Sequence, residues 1–160
     1  LERFVTVTAK VRAAARSAGV FTGHEIHPGT AARCADDFLM LRKACDNDQC
    51  LGVYFDPSHM WQGETFEDAM RKVGSLIYGC HVKDHRIVPG RPLLSMEDDW
   101  KRRGMQFTVL GQGQLDLPRY VELLWECGYP ERYAALHNRT CAPLVGEAVS
   151  AFYAVNETST

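Results

Sequence analysis

Three short apolar runs in this chain each end in a residue type that binds metal ions. Val20-Phe21-Thr22-Gly23-His24 leads into Glu25, and Leu51-Gly52-Val53-Tyr54-Phe55 leads into Asp56-Pro57-Ser58-His59. Leu76-Ile77-Tyr78-Gly79-Cys80 leads into His81-Val82-Lys83-Asp84. A carboxylate, a second carboxylate with a His three residues on, and a further His are the donors that a divalent cation with open coordination positions needs. Oxygen and nitrogen donors suit Mn2+, Mg2+, Co2+ and Zn2+ alike, so the metal is not specified. Each residue also has a plainer reading. Glu25 can be a surface carboxylate, Asp56 can start a turn with Pro57, and His81 can be a core histidine. His24 and His27 flank Glu25, and strand alternation puts both off its face.

The elements that must position these residues alternate along the chain. Residues 3–18 have Phe4, Val5, Val11 and Ala15 at helical spacing, with Gly19 at the stop. Val20 to Ile26 reads as a strand broken by Pro28-Gly29, and Thr30 is placed to cap a helix over Asp36 to Ala44. Leu51 to Asp56 is the second strand. Thr65 caps a short helix with Phe66, Ala69, Met70 and Val73 on one side, closed by Gly74, and Leu76 to Val82 is the third strand. Residues 83–108 read as one long loop, of the kind that often serves as a lid. A helix opens at Leu117-Pro118 and ends at Gly128. A fourth strand is expected at Tyr133 to Leu136, a last helix at Leu144 to Val155, and a polar tail to Thr160. Strict β/α alternation predicts a parallel sheet with crossover helices. Four βα units amount to half of an eight-unit barrel of about 250 residues. In such a fold, residues at the C-terminal strand ends converge on one site.

Size and composition bound the function. The 160 residues are 46% hydrophobic and 24% charged, which fits a folded domain with a core. With a formal net charge of -2 and both signs mixed, nucleic acid is not an expected partner. No apolar run reaches the about 18 residues of a membrane span, and no secretory signal pattern is visible. Six cysteines occur without a C-x-x-C pair, which argues against a zinc knuckle. An even count also allows disulfides; the strand-like and helical contexts favour reduced, buried thiols and a cytoplasmic setting. The chain opens at Leu1 in a helical pattern, and the expectation is a fragment whose upstream part is missing.

Gly23-His24-Glu25-Ile26-His27-Pro28-Gly29 resembles the segment around the first metal-binding Glu of the sugar phosphate isomerase/epimerase superfamily, the xylose isomerase-like barrels. Phe55-Asp56-Pro57-Ser58-His59-Met60-Trp61-Gln62-Gly63 resembles the family's second site strand, and His81-Val82-Lys83-Asp84 its third. Leu110-Gly111-Gln112-Gly113-Gln114-Leu115-Asp116 is similar to its glycine-containing loop, and Gly128-Tyr129 to the entry into its last strand. The resemblance runs in order from about residue 20 to the C-terminus and matches strands five to eight of an α/β (β/α)8 TIM barrel. It implies that Glu25, Asp56 and His81 bind a divalent metal, and that Glu25 also moves protons. It further implies that His59 faces the substrate, with Lys83, Asp84 or Arg86 nearby. The chemistry is consistent: a metal-bound carbonyl and hydroxyl acidify the C–H between them, and a carboxylate takes the proton.

One part departs from the family. Its second catalytic Glu belongs at the end of the last strand, where this chain reads Tyr133-Ala134-Ala135-Leu136-His137-Asn138-Arg139. Either the ligand is lost or His137 replaces it. Trp61 and Trp100 could stack on a sugar ring or pack on the core. Lys101, Arg102 and Arg103 read as a solvated face, and Gly111-Gln112-Gly113 as a tight turn. The leading expectation is a divalent-metal sugar isomerase or epimerase acting on a small sugar or polyol-derived molecule. Its partners would be a second copy of the chain or the missing N-terminal half. A degenerate, non-catalytic barrel and a metal-dependent DNA-repair endonuclease are the alternatives. The endonuclease would need more His and acidic ligands than six histidines and a mild negative charge provide.

Overall fold

A computed structural model of the chain describes residues 1–61, 63–91 and 104–131. The expected strand at 133–136, the helix at 144–155, Trp100, the Lys101–Arg103 cluster, Cys141 and His137 lie outside the described residues. Helix α1 spans Glu2–Ala18 and ends where Gly19 adopts a left-handed conformation at φ 64°. In that geometry the Gly19 N–H reaches the Ala15 and Arg16 carbonyls, a turn that glycine makes without a Cβ clash. Strand β1 (Thr22–Glu25), helix α2 (Ala35–Ala44), strand β2 (Leu51–Phe55), helix α3 (Phe66–Val73) and strand β3 (Ile77–Cys80) then alternate. The three strands pair in parallel in the order β1-β2-β3, with Glu25 beside Tyr54 and Phe55 beside Cys80.

Alternation divides the faces of β2. Leu51, Val53 and Phe55 turn into the core with Ile77 of β3, where Phe38 and Leu41 of α2 and Phe66, Met70 and Val73 of α3 meet them. Each of these side chains is almost fully removed from water, and their burial is the main force docking the helices on the sheet. The other face of the sheet carries Tyr54 and Tyr78, which lie over glycines of the neighbouring strand. A Cβ at Gly52 would run into the Tyr78 ring, and one at Gly79 into the Tyr54 ring.

Two local expectations change. Thr30 does not cap α2: its hydroxyl closes a turn on the carbonyls of His27 and Ala32. Glu64, from the loop before α3, instead accepts a hydrogen bond from the Ala35 N–H at 2.9 Å and caps α2 from a distance in sequence. Thr65 caps α3 as expected, accepting from the Asp68 N–H at 3.1 Å.

The larger correction concerns residues 83–108. Their ends are not loop but an antiparallel ribbon, strand β4 (Asp84–Ile87) against strand β5 (Met105–Thr108), in the register Asp84↔Thr108 to Ile87↔Met105. Helix α4 (Leu117–Glu126) follows, capped by Asp116, and buries Tyr120, Leu123 and Leu124. Tyr120 stacks near Phe55 and donates its hydroxyl to the His81 carbonyl at 3.1 Å, so α4 steadies the backbone just after β3. No disulfide joins the described cysteines. No described helix is long and apolar enough to cross a membrane.

Candidate metal centre

Glu25 is the last residue of β1, Asp56 follows β2 and His81 follows β3. Because the strands are parallel, all three side chains leave the same end of the sheet. Asp56 is fully buried and divides its two oxygens between two tasks. Oδ1 accepts from the Ser58 N–H at 3.0 Å and the Ser58 hydroxyl at 2.6 Å, which shapes the 3-10 turn over Pro57–His59. Oδ2 faces the site. One oxygen of the carboxylate thus shapes the turn with Ser58, and the other is left facing the side-chain cluster.

The turn swings His59 back over its own strand. Its Nε2 lies 3.4 Å from Asp56 Oδ2 and 3.6 Å from Glu25 Oε1. His81 Nδ1 is 3.1 Å from the same Asp56 oxygen and 3.6 Å from the same Glu25 oxygen. Lys83 Nζ approaches Asp56 Oδ2 at 2.5 Å. The sequence expectation put His81 in the ligand set and His59 outside it, facing substrate. The geometry brings His59 to the cluster as well, a little farther from Asp56 than His81 is: donor atoms of Glu25, Asp56 and His59 all lie within 4.8 Å of one another. Glu25 remains about one-third exposed, so the cluster is open on its side.

Burial is the largest influence on His59 and pushes its pKa down to about 4, against the opposing pull of Asp56 and Glu25. At neutral pH it is an uncharged imidazole with a lone pair to offer. Its buried Nδ1 has no hydrogen-bond partner among the described residues. Burial alone would raise the Asp56 pKa; the hydrogen bonds from Lys83 and Ser58 outweigh it and hold the carboxyl below its ordinary value. Two carboxylate oxygens converge on a neutral imidazole nitrogen, and this donor set suits a divalent cation. Lys83 supplies a positive charge to the same Asp56 oxygen.

The other expected residues have different surroundings. Asp84, expected near substrate, is 1% exposed and gives both oxygens to backbone N–H groups. Oδ1 accepts from His85 at 2.8 Å and Leu115 at 3.2 Å, and Oδ2 from Gly111 at 3.0 Å and Gly113 at 2.8 Å. Gly113 is needed there, since a Cβ would strike the Asp84 carboxylate. Asp84 thus ties the 111–115 loop to the start of β4 instead of facing a ligand. Arg86 reaches across the ribbon to its register partner and donates to Gln106 Oε1 at 3.1 Å from Nη2. Trp61 is half-buried, with its indole N–H shielded and without a hydrogen-bond partner among the described residues. His24 sits off the site as alternation predicts, stacked near Phe38 and edge-on to Phe4. His27 does not: two positions after Glu25, alternation returns it to the Glu25 side, and its ring packs against His59 with centroids 4.1 Å apart.

Sequence reasoning missed Ser58, which fixes Asp56, and Phe107, whose ring lies 6.3 Å from that of His59. Ser58 had a signal, as a hydroxyl two residues after a turn-starting Asp. Phe107 had only the short alternation of Met105-Gln106-Phe107-Thr108.

A family model described as xylose isomerase-like TIM barrel matches residues 1–136. Among solved structures, the xylose isomerase domain protein from Planctomyces limnophilus is similar, with TM-score 0.60 and 29% identity over 78% of this chain and 42% of that one. The probable 3-DHS dehydratase AsbF from Bacillus anthracis, involved in petrobactin synthesis, aligns with TM-score 0.62 over 76% of this chain and 45% of its own. Its 17% identity shows a shared fold alone. The chain spans less than half the length of either structure. No curated protein matches the sequence.

Proposed function

This chain belongs to the xylose isomerase-like TIM barrel family, and from that premise we propose that it carries the divalent-metal site of a sugar isomerase or epimerase. One observation carries the reading: Glu25, Asp56 and His59 bring donor atoms within 4.8 Å of one another at the C-terminal end of a parallel sheet. Glu25, Asp56 and His59 would hold the cation, with His81 within reach of the same two carboxylate oxygens. The bound cation would supply polarisation of a substrate carbonyl and its neighbouring hydroxyl. Glu25, the most open carboxylate of the cluster, takes the proton from the C–H between them and returns it. Lys83 offsets the buried charge of Asp56 and offers N–H donors to a substrate oxygen. The substrate is a small sugar or polyol-derived molecule in a cytoplasmic, reducing setting.

The test uses Mn2+ and D-fructose. Mn2+ should raise the melting temperature of the unaltered protein, and D-fructose in deuterated water should exchange the hydrogen on a carbon next to its carbonyl. Glu25→Gln should stop the exchange. A protein whose melting temperature ignores Mn2+, before and after Glu25→Ala, would remove the metal reading altogether.

A second reading has one observation in its favour. No acidic residue occurs from Tyr133 to Gly146, where the family's second catalytic Glu belongs. A barrel without that Glu would bind metal and sugar without turnover; Mn2+ stabilisation with no exchange would select it. The repair-endonuclease alternative ranks below both and would need salt-sensitive binding to abasic duplex DNA.

A further inference from the structure

The β4–β5 ribbon brings one large apolar side chain to the metal centre. Phe107 has its ring edge-to-face with His59, at 6.3 Å and 76°. Lys83 Nζ lies 5.6 Å from the centroid of the same ring. Both partners touch Asp56 Oδ2, so Phe107 stands beside the atoms that would meet a substrate. Yet 49% of its surface is open to solvent. Hydrophobic burial favours covering such a ring, and a half-covered aromatic beside a cluster of charges is poised for a ligand that is both polar and apolar. Its position is also held in advance. Asp84 anchors the base of the ribbon through backbone N–H groups, and Ile87 N–H donates to Gln114 Oε1 at 2.7 Å. A pre-set ring costs little ordering entropy when a ligand arrives.

We propose that Phe107 is a specificity-determining residue: its exposed surface is the apolar wall against which a six-membered polyhydroxylated ring lays its C–H face. The inference rests on the metal-site reading above and adds the shape of the ligand. A cyclic polyol with equatorial hydroxyls has an apolar axial C–H face and a polar rim. The rim oxygens face Glu25, Asp56 and His59, Lys83 donates to one of them, and the polarised C–H groups meet the negative face of the aromatic ring. An open-chain polyol of the same functional groups has no such face.

The experiment compares scyllo-inositol with D-sorbitol, by calorimetric titration of the Mn2+-loaded chain. The unaltered protein should bind scyllo-inositol more tightly. Phe107→Ala should weaken scyllo-inositol by about tenfold, the scale of an aromatic contact, and leave D-sorbitol and Mn2+ affinity nearly unchanged. Phe107→Tyr should keep the preference, which guards against a folding defect as the cause. The inference is overturned if Phe107→Ala binds scyllo-inositol as well as the unaltered protein does. It is equally overturned if the Mn2+-loaded protein shows no preference for the ring. Failure of Mn2+ itself to bind is a separate result, and sinks the metal reading on which the wall depends.

Discussion

Asp56 and Asp84 are the same residue type at nearly the same depth, 0% and 1% exposed, and they do opposite work. Asp56 keeps one oxygen for side chains: His59, His81 and Lys83 all gather at Oδ2. Asp84 keeps none, because four backbone N–H groups occupy both its oxygens. Side-chain partners can move aside for a cation or a substrate; backbone partners are held by the fold. Both carboxyls lie below their ordinary range, since hydrogen bonds outweigh burial in each. Depth and a lowered pKa therefore do not separate a carboxylate that keeps an oxygen for side chains from one closed by backbone. The nature of its partners does.

The contrast is broken most forcefully at Asp84. Asp84→Ala strands N–H groups of the 111–115 loop and should cost about 3–5 kcal/mol of stability by urea unfolding. Asp84→Asn tests the charge. Its folded pKa lies below the ordinary 3.8, so its contribution is fully present above that value and fades as pH falls through the folded pKa. The acid limb of the unaltered protein should thus be steeper below about pH 4 than that of the Asn variant. An identical acid limb would mean that the four hydrogen bonds do not hold the charged form.

Asp56→Asn should do the reverse. The amide oxygen can still accept from Ser58, so only the charge paired with Lys83 is lost and stability should fall by less than in Asp84→Ala, while Mn2+ affinity falls by at least about 100-fold. A large loss of stability with Mn2+ affinity intact would reverse the assignment of the two residues. Gly113→Ala sharpens the comparison from the loop side. Its methyl group meets the Asp84 carboxylate, and about 2 kcal/mol should be lost with little effect on Mn2+ affinity. The smallest effect is expected at Ser58. Ser58→Ala removes one hydrogen bond to Asp56 Oδ1, and Mn2+ affinity should drop about tenfold in a calorimetric titration while the melting temperature barely shifts.

Much of the frame was legible along the chain because its causes are local. Gly19 stops α1 and Thr65 caps α3 through contacts within a few residues. Glu25, Asp56 and His81 could be picked out because each follows an apolar run, and parallel strands put such positions at one end of a sheet. The ribbon was not legible. Asp84-His85-Arg86-Ile87 and Met105-Gln106-Phe107-Thr108 are short and mostly polar, and each needs a partner about twenty positions away. The cap on α2 escaped for the same reason, since Glu64 reaches Ala35 from the far side of β2.

The amino-acid order by itself determined which residue types stand at the strand ends, and hence that oxygen and nitrogen donors are available there. Periodicity and end signals are properties of neighbouring residues, so they survive without a fold. Only the tertiary structure decided how those donors are shared. It turned His59 into the cluster, committed Asp84 to the backbone of a distant loop, and set Phe107 beside the centre. The reason is physical: a carboxylate has two oxygens, and what occupies them depends on which N–H groups packing brings within about 3 Å.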